Sequence, residues 1–175
     1  FVFALRGGIG ELWQALKDCV SCYIPRDTGS QGIVLMHPLI EKVISDTRHN
    51  APHRDIEFHL QGDEGLTIFM DGIIVKDMLT GLLKNAVENT PDGGLVEVFL
   101  DSDERDVTIA IRDYGVGITD ANKSHIFEGL FHTQETDLYG SKKAYDFGAG
   151  GKGLDLLQMK IYGRRFGVGI SFKSN

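Results

Sequence analysis

The run LTGLLKNAVENTPDGG, Leu79 to Gly94, decides how the rest of the chain is read. Together with the residues just before it, its apolar positions Ile74, Met78, Leu79, Leu82, Leu83, Ala86 and Val87 recur every three or four residues, which predicts a helix with one face on a sheet. A second stripe lies beside that face. Gly81, Asn85, Glu88 and Asn89 are separated by steps of three, four or seven, so they share one flank. An amide such as Asn85 can offer a neutral oxygen to a hard cation such as magnesium, and Gly81 leaves room for a bulky ligand. Taken alone, the same stripe also fits a solvated polar flank.

Composition sets the bounds around this helix. A chain of 175 residues, 42% hydrophobic and 25% charged, can bury one sizeable core. No membrane-spanning run and no secretory signal is present in the sequence. Because the first residue is Phe1 and not methionine, the expectation is a fragment of a longer protein. The net charge of −7 argues against nucleic acid as the main partner, since phosphate backbones need a basic surface. Cys19 and Cys22 form a lone CxxC with no second pair at zinc spacing, and both fall in the helical pattern of Leu12, Trp13, Leu16, Val20 and Tyr23. They read as packing residues of a reduced, cytoplasmic protein.

Taken in order, Glu11–Ile24 predicts an amphipathic helix closed by the breaker-rich stretch Pro25–Gly32. Ile33–Met36 reads as a short strand, followed by a helix with Pro38 in its first turn and Leu39, Ile40, Val43, Ile44 and Thr47 on one face. The period then changes to two at Ile56, Phe58 and Leu60, and after a turn at Gly62–Gly65 a strand is expected over Leu66–Met70. Asp71 is placed to cap the central helix. Beyond Pro91–Gly94 two strands follow, Val96-Val98-Leu100 and Val107-Ile109-Ile111, joined as a hairpin by the charged loop Asp101–Asp106. A long polar stretch, Thr119–Gly151, has the length of a functional lid. A last helix with Leu154, Leu157 and Ile161 is expected to stop at Gly163, before a final strand through Val168, Ile170 and Phe172. The predicted fold class is α+β, a two-layer sandwich in which helices cover one face of a mixed sheet.

Four motifs in this order carry a resemblance: LLKNAVENTPDGG, DYGVGI at Asp113–Ile118, IFEGLF at Ile126–Phe131, and GAGGKGLDL at Gly148–Leu156. They resemble the asparagine, first glycine, phenylalanine and second glycine boxes of the GHKL superfamily, whose Bergerat-type ATP-binding domain is shared by sensor histidine kinases, gyrase, Hsp90 chaperones and MutL. The similarity is greatest to histidine kinases and runs from about Ile33 to Phe172. It implies residues 1–31 as a linker with the end of a dimerisation helix, and 32–175 as the catalytic domain.

The resemblance assigns Asp113 to the exocyclic amine of adenine, which a carboxylate accepts and which guanine lacks. Gly115, Gly117 and Ile118 would form the turn against the ligand. Asn85 would coordinate magnesium bridging the ATP phosphates, with Asn89 beside it, and Phe127 and Phe131 would anchor the lid. Gly148, Gly150, Gly151, Lys152, Gly153 and Leu154 would bring backbone N–H groups and a helix N-terminus to the phosphates. This cluster is neither a Walker loop, which needs Lys-Ser or Lys-Thr, nor a Rossmann fingerprint, which follows the first strand of a βαβ unit. Lys142 and Lys143 could approach phosphate but fit solubility better.

Three residues depart from the pattern. Gly81 stands where many histidine kinases have a second asparagine and gyrase-like ATPases their water-activating glutamate. Glu88 stands where a basic residue often follows, and Asp155 replaces the last glycine of the second box. No histidine fits a phosphoacceptor on a dimerisation helix: His49 and His53 fall in a Pro-containing connection, His37 precedes a helix, His59 is in a strand pattern, and His125 and His132 are in the lid. The implied function is the catalytic domain of a two-component sensor histidine kinase, which uses ATP and magnesium to phosphorylate a histidine outside this sequence. Its implied partners are its own dimerisation domain within a homodimer and a response regulator. The alternatives are an anti-sigma-factor-type serine kinase and a non-catalytic nucleotide-gated module.

Overall fold

The computed structural model describes residues 30–123, 143–149 and 154–174. The helix expected over Glu11–Ile24, both cysteines, the phenylalanine box with Phe127 and Phe131, and Gly150, Gly151, Lys152 and Gly153 lie outside the described residues. The elements run β1 (Gly32–Leu35), α1 (Met36–Asn50), β2 (Ile56–Gly62), β3 (Thr67–Met70), α2 (Gly72–Asn89), β4 (Gly94–Ser102), β5 (Val107–Asp113), α3 (Asp120–Lys123) and α4 (Leu154–Phe166).

The strands make two sheets. In the larger one β4 lies between β2, to which it is parallel, and β5, to which it is antiparallel. The smaller is the antiparallel pair β1 and β3. Although β2 and β3 are neighbours in sequence, they separate into different sheets. The positive φ of Gly62 and the turn at Gly65, whose N–H donates to Asp63, release the chain from one sheet to the other.

Alternation along each strand sets which face is buried. Val96, Val98 and Leu100 of β4 are buried, with Ile56, Phe58 and Leu60 of β2 and Val107, Ile109 and Ile111 of β5 packed against the same core. On the opposite face Glu97 pairs across the strands with Arg112 and accepts from the Tyr114 hydroxyl at 2.7 Å. One face is therefore dry and the other polar, as an α+β sandwich requires.

The helix α2 has two buried sides. Val75, Leu79, Leu83 and Ala86 pack with α1 and the larger sheet, while Ile74 and Met78 pack with Met159 and Tyr162 of α4. Asp71 caps it, accepting from the Ile73 N–H at 2.8 Å. Such a cap contributes about 1 kcal/mol. Each fully buried side chain such as Ile74 or Leu83 contributes roughly 1.5–3 kcal/mol, so packing on both sides dominates over the cap.

Five local expectations are corrected. His37 and His49 both lie within α1, not before it and after it. Met36 opens α1 instead of closing β1, because its N–H donates to Leu66 O at 2.9 Å and no side chain caps the helix. The hairpin loop shrinks to four residues, since Asp101 and Ser102 remain paired to β5. Helix α4 runs through Gly163 to Phe166, and Gly167, at φ +72°, ends it. The Val168 N–H bonds Gly163 O at 2.9 Å, the six-to-one closure of a Schellman motif. The expected final strand is absent among the described residues: 168–174 pairs with no strand, and Ile170 packs against the α2–α4 cluster.

Candidate functional site

Three segments meet at the C-terminal end of α2. The first is α2 itself, where Asn85 and Asn89 are half-buried on one flank. The Asn89 side-chain amide donates to Asn85 O at 2.7 Å and lies 3.4 Å from Asn85 Oδ1. The Asn89 amide nitrogen is thereby committed to the last turn of the helix, while its Oδ1 accepts no hydrogen bond among the described residues. Asn85 keeps its amide oxygen for a ligand, since a 3.4 Å approach is a weak hydrogen bond.

The second segment is the turn after β5. Asp113 ends the strand with an exposed carboxylate, and its Oδ1 accepts from the Gly115 N–H at 3.1 Å. Its other oxygen has no partner among the described residues. The turn is seated on α2 by its backbone, with the Val116 N–H donating to Asn89 O at 3.2 Å. A β-carbon on Gly115 would lie 2.1 Å from that same oxygen, so only glycine allows the approach. Gly117 has φ +70°, and the Ile118 N–H donates to the Ser174 hydroxyl at 2.9 Å, tying the turn to the tail.

The third segment, 143–149, leads into the second glycine box. Gly148, buried and at φ +65°, donates to Glu88 O at 2.7 Å. The Glu88 side chain is turned the same way, and Oε1 accepts from the Tyr145 N–H at 3.0 Å. At 3% exposure Glu88 is therefore no member of a solvated flank. It is an anchor for this segment, with Lys84 Nζ 4.0 Å from its carboxylate.

Arg54 is the second anchor, and its position in a loop gave no periodic signal. Its side chain is 3% exposed and bridges three elements. It donates to Val87 O, Thr90 O and Tyr145 O at 3.1, 2.6 and 2.6 Å and pairs with Asp92 at 2.7 Å. Its guanidinium also lies over the Phe147 ring. A third tie joins His53 Nε2 to Asp146 Oδ1 at 2.9 Å. The Lys143 N–H and then His53 hold the Asp146 carboxyl below the ordinary carboxylate range. Lys143 itself is exposed, as a solubilising lysine should be.

The structure thus brings Asn85, Asn89, Asp113, Gly115, Gly117, Ile118 and Gly148 to one end of α2 and starts α4 at Leu154, directly after the glycines. A separate cleft of about 260 Å³ opens between α1 and β2, lined by Thr47, Ala51, Ile56, Phe58 and Val87 among others. None of the predicted site residues lines it. Among the described residues no group of three or more His, Cys, Asp or Glu could hold a metal, and no helix is long and apolar enough to cross a membrane.

Comparison with known proteins places this geometry in a family. Residues 70–175 match the family of histidine kinase-, DNA gyrase B- and HSP90-like ATPases. The sensor-like histidine kinase SenX3 of Mycobacterium bovis is 27% identical over 122 residues, covering 70% of this chain and 28% of SenX3. The chain therefore spans little more than a quarter of the length of that relative. The solved structure of the mycobacterial sensor histidine kinase MprB aligns with a TM-score of 0.63 at 23% identity, covering 79% of this chain and 81% of the other. A solved complex of the histidine kinase ThkA with the response regulator protein TrrA aligns with a TM-score of 0.56 at 20% identity, over 71% of this chain and 37% of the other. The fold is that of the solved histidine kinase domains, and the chain belongs to the histidine kinase-, DNA gyrase B- and HSP90-like ATPase family.

Proposed function

We propose that this chain is the catalytic part of a two-component sensor histidine kinase, binding ATP and passing its terminal phosphoryl group to a histidine outside this sequence. The observation that carries the reading is the meeting of Asn85, the Asp113–Ile118 turn and Gly148 at one end of α2. In this reading the exposed Asp113 carboxylate accepts from the adenine amine. The Gly115 and Gly117 turn lets backbone approach the ring. The phosphates lie toward Gly148, Gly150, Gly151, Lys152, Gly153 and Leu154, where successive N–H groups and the start of α4 favour negative charge. Phe127 belongs to the lid that excludes water.

Magnesium fits this donor set through Asn85. The neighbouring amides of Asn85 and Asn89 supply neutral oxygens and no carboxylate, so an ion held by Asn85 would take its remaining ligands from phosphates and water, as magnesium at nucleotide sites does. When bound, it would offset phosphate charge. The protein's own contribution is positioning: adenine at Asp113 and phosphates at the glycines present the terminal phosphorus to an acceptor imidazole in line. The P–N bond to histidine forms as the bond to the bridging oxygen of ADP breaks. A dimerisation domain carrying that histidine, a homodimeric whole protein, a response regulator that takes the phosphoryl group and a cytoplasmic location complete the proposal. The ThkA–TrrA complex, of similar fold, supports the regulator.

Calorimetric titration with ATP, with and without magnesium, tests the site. Binding should depend on magnesium and weaken in Asn85→Ala. Asp113→Ala leaves the adenine amine unsatisfied at a cost of about 1–3 kcal/mol, hence roughly five- to 150-fold weaker binding. Unchanged affinity in both variants would sink the assignment. Glu88 favours one second reading, a nucleotide-gated binding module without catalysis, because a buried carboxylate stands where the resemblance implies a basic residue. Normal ATP affinity with no transfer to a supplied dimerisation domain would select it.

A further inference from the structure

The β1–β3 pair has one face in the core and one in solvent. Inward, Val34, Ile68 and Met70 pack against the main cluster. Outward, Ile33 is 79% exposed, Phe69 71% and Leu35 48%. Ile33 lies directly opposite Phe69 in the register, and Leu35 follows two residues later on the same face. Single exposed apolar residues are ordinary. Three large ones gathered on one face of a four-residue strand pair form a patch of the kind that marks an interaction surface.

What covers it is argued from the chain that leads into β1. The stretch Glu11–Ile24 carries Leu12, Leu16 and Val20 at helical spacing, with Trp13 and Tyr23 beside them. A helix of about fourteen residues is marginal in water alone, so its apolar stripe needs a partner. Seven residues, Pro25 to Gln31, separate this stretch from β1. Extended, they reach about 25 Å, whereas a four-residue strand is about 13 Å long. The connection is therefore long enough to turn the segment back over the sheet. It is also short enough to keep the two apolar surfaces at high effective concentration. Pro25 and Gly29 within it suit a reversal of direction.

We propose that Leu12–Tyr23 docks through its apolar stripe on the outer face of the β1–β3 sheet, over Ile33, Leu35 and Phe69. The docked segment adjoins the start of the site helix, because β3 ends at Met70, and Asp71, the next residue, caps α2. A displacement of the segment is then felt at the root of the helix that carries Asn85. This docking holds whether or not the nucleotide reading does.

Trp13 is the sole tryptophan of the 175 residues, so its fluorescence reports on the docked segment directly. In the full 175-residue chain its emission should be blue-shifted and shielded from acrylamide at every protein concentration. Phe69→Glu and Ile33→Glu should each move it to the emission of solvent-exposed indole and remove the shielding. Both side chains lie outside the core, so the urea midpoint of the domain should stay unchanged, and far-UV circular dichroism should lose no more than the helicity of the released segment. Thr108→Glu, at an exposed position on β5, should leave the emission where it was. Solvent-like emission in the unmodified chain would overturn the proposal, as would shielding that survives Phe69→Glu. Shielding lost on dilution would assign the patch to a second copy of the chain and overturn it equally.

Discussion

The two loops that flank the C-terminal end of α2 are held there by different means. The Asp113–Ile118 turn is fixed by shape: backbone meets backbone at Val116 and Asn89, and Gly115 fits only because it has no β-carbon. The 143–149 segment has one backbone bond to α2, from the Gly148 N–H to Glu88 O, and is otherwise hung on side chains, namely Glu88, Arg54 and the His53–Asp146 pair. A shape constraint answers to added volume and ignores pH. Charged anchors respond to neutralisation and to pH, which suits a segment leading into glycines that the proposed function places at the phosphates.

Arg54→Met breaks this arrangement most severely. It leaves the carbonyls of Thr90 and Tyr145 without this donor and Val87 O with only the 3.3 Å bond from the Thr90 N–H, at a cost of about 3 kcal/mol when the unmet groups are summed and partly rehydrated. Urea unfolding should show a lower midpoint with an unchanged slope. Gly115→Ala comes next. Its β-carbon would sit 2.1 Å from Asn89 O, a backbone atom that cannot swing aside. Overpacking of this kind costs about 1–3 kcal/mol, and ATP affinity should fall as the turn is displaced. An intact site in Gly115→Ala would show that the turn is not held by shape.

Glu88 sharpens the comparison further. Glu88→Gln keeps an oxygen for the Tyr145 N–H, so hydrogen exchange at Tyr145 should change little, whereas Glu88→Ala should speed it by roughly tenfold or more for the loss of a charge-assisted bond. Equal exchange in the two variants would remove Glu88 from the anchor. The smallest effect is acid. The Asp146 carboxyl is held below its ordinary value of 3.8, so its contribution is complete above that pH and is lost as pH falls further, through the lowered value. Protection of the Lys143 amide, whose N–H donates to Asp146, relative to its intrinsic exchange rate should fall in that window and not at neutral pH. The Val116 N–H, bonded to a backbone carbonyl, should be protected equally on both sides of it.

The sheet strands, α1, α2 and the Asp71 cap were legible because each leaves a local signal: a period of two or 3.6, or a short acceptor before an apolar run. The stop of α4 was misplaced at Gly163, because Gly167, four residues on, carries the same local signal and only the tertiary structure chose between them. Val168, Ile170 and Phe172 alternate as a strand would, yet alternation cannot supply a partner edge. The asparagine and glycine motifs were visible as letters, and the resemblance gave them roles. Arg54 left no trace, being one polar residue in a loop after a proline. Glu88 left one: its acidity at a position where the resemblance implies a base.

By itself the sequence determined the central helix, the hairpin, the fold class and the order of the four motifs, since these follow from neighbours along the chain. Only the tertiary structure decided that β2 and β3 part into separate sheets and that α2 is buried on two sides. It alone set Glu88 toward the 143–149 segment and brought Arg54 to three carbonyls from distant segments. Each of those depends on groups far apart in sequence, and no local pattern encodes a contact whose other half is thirty to ninety residues away.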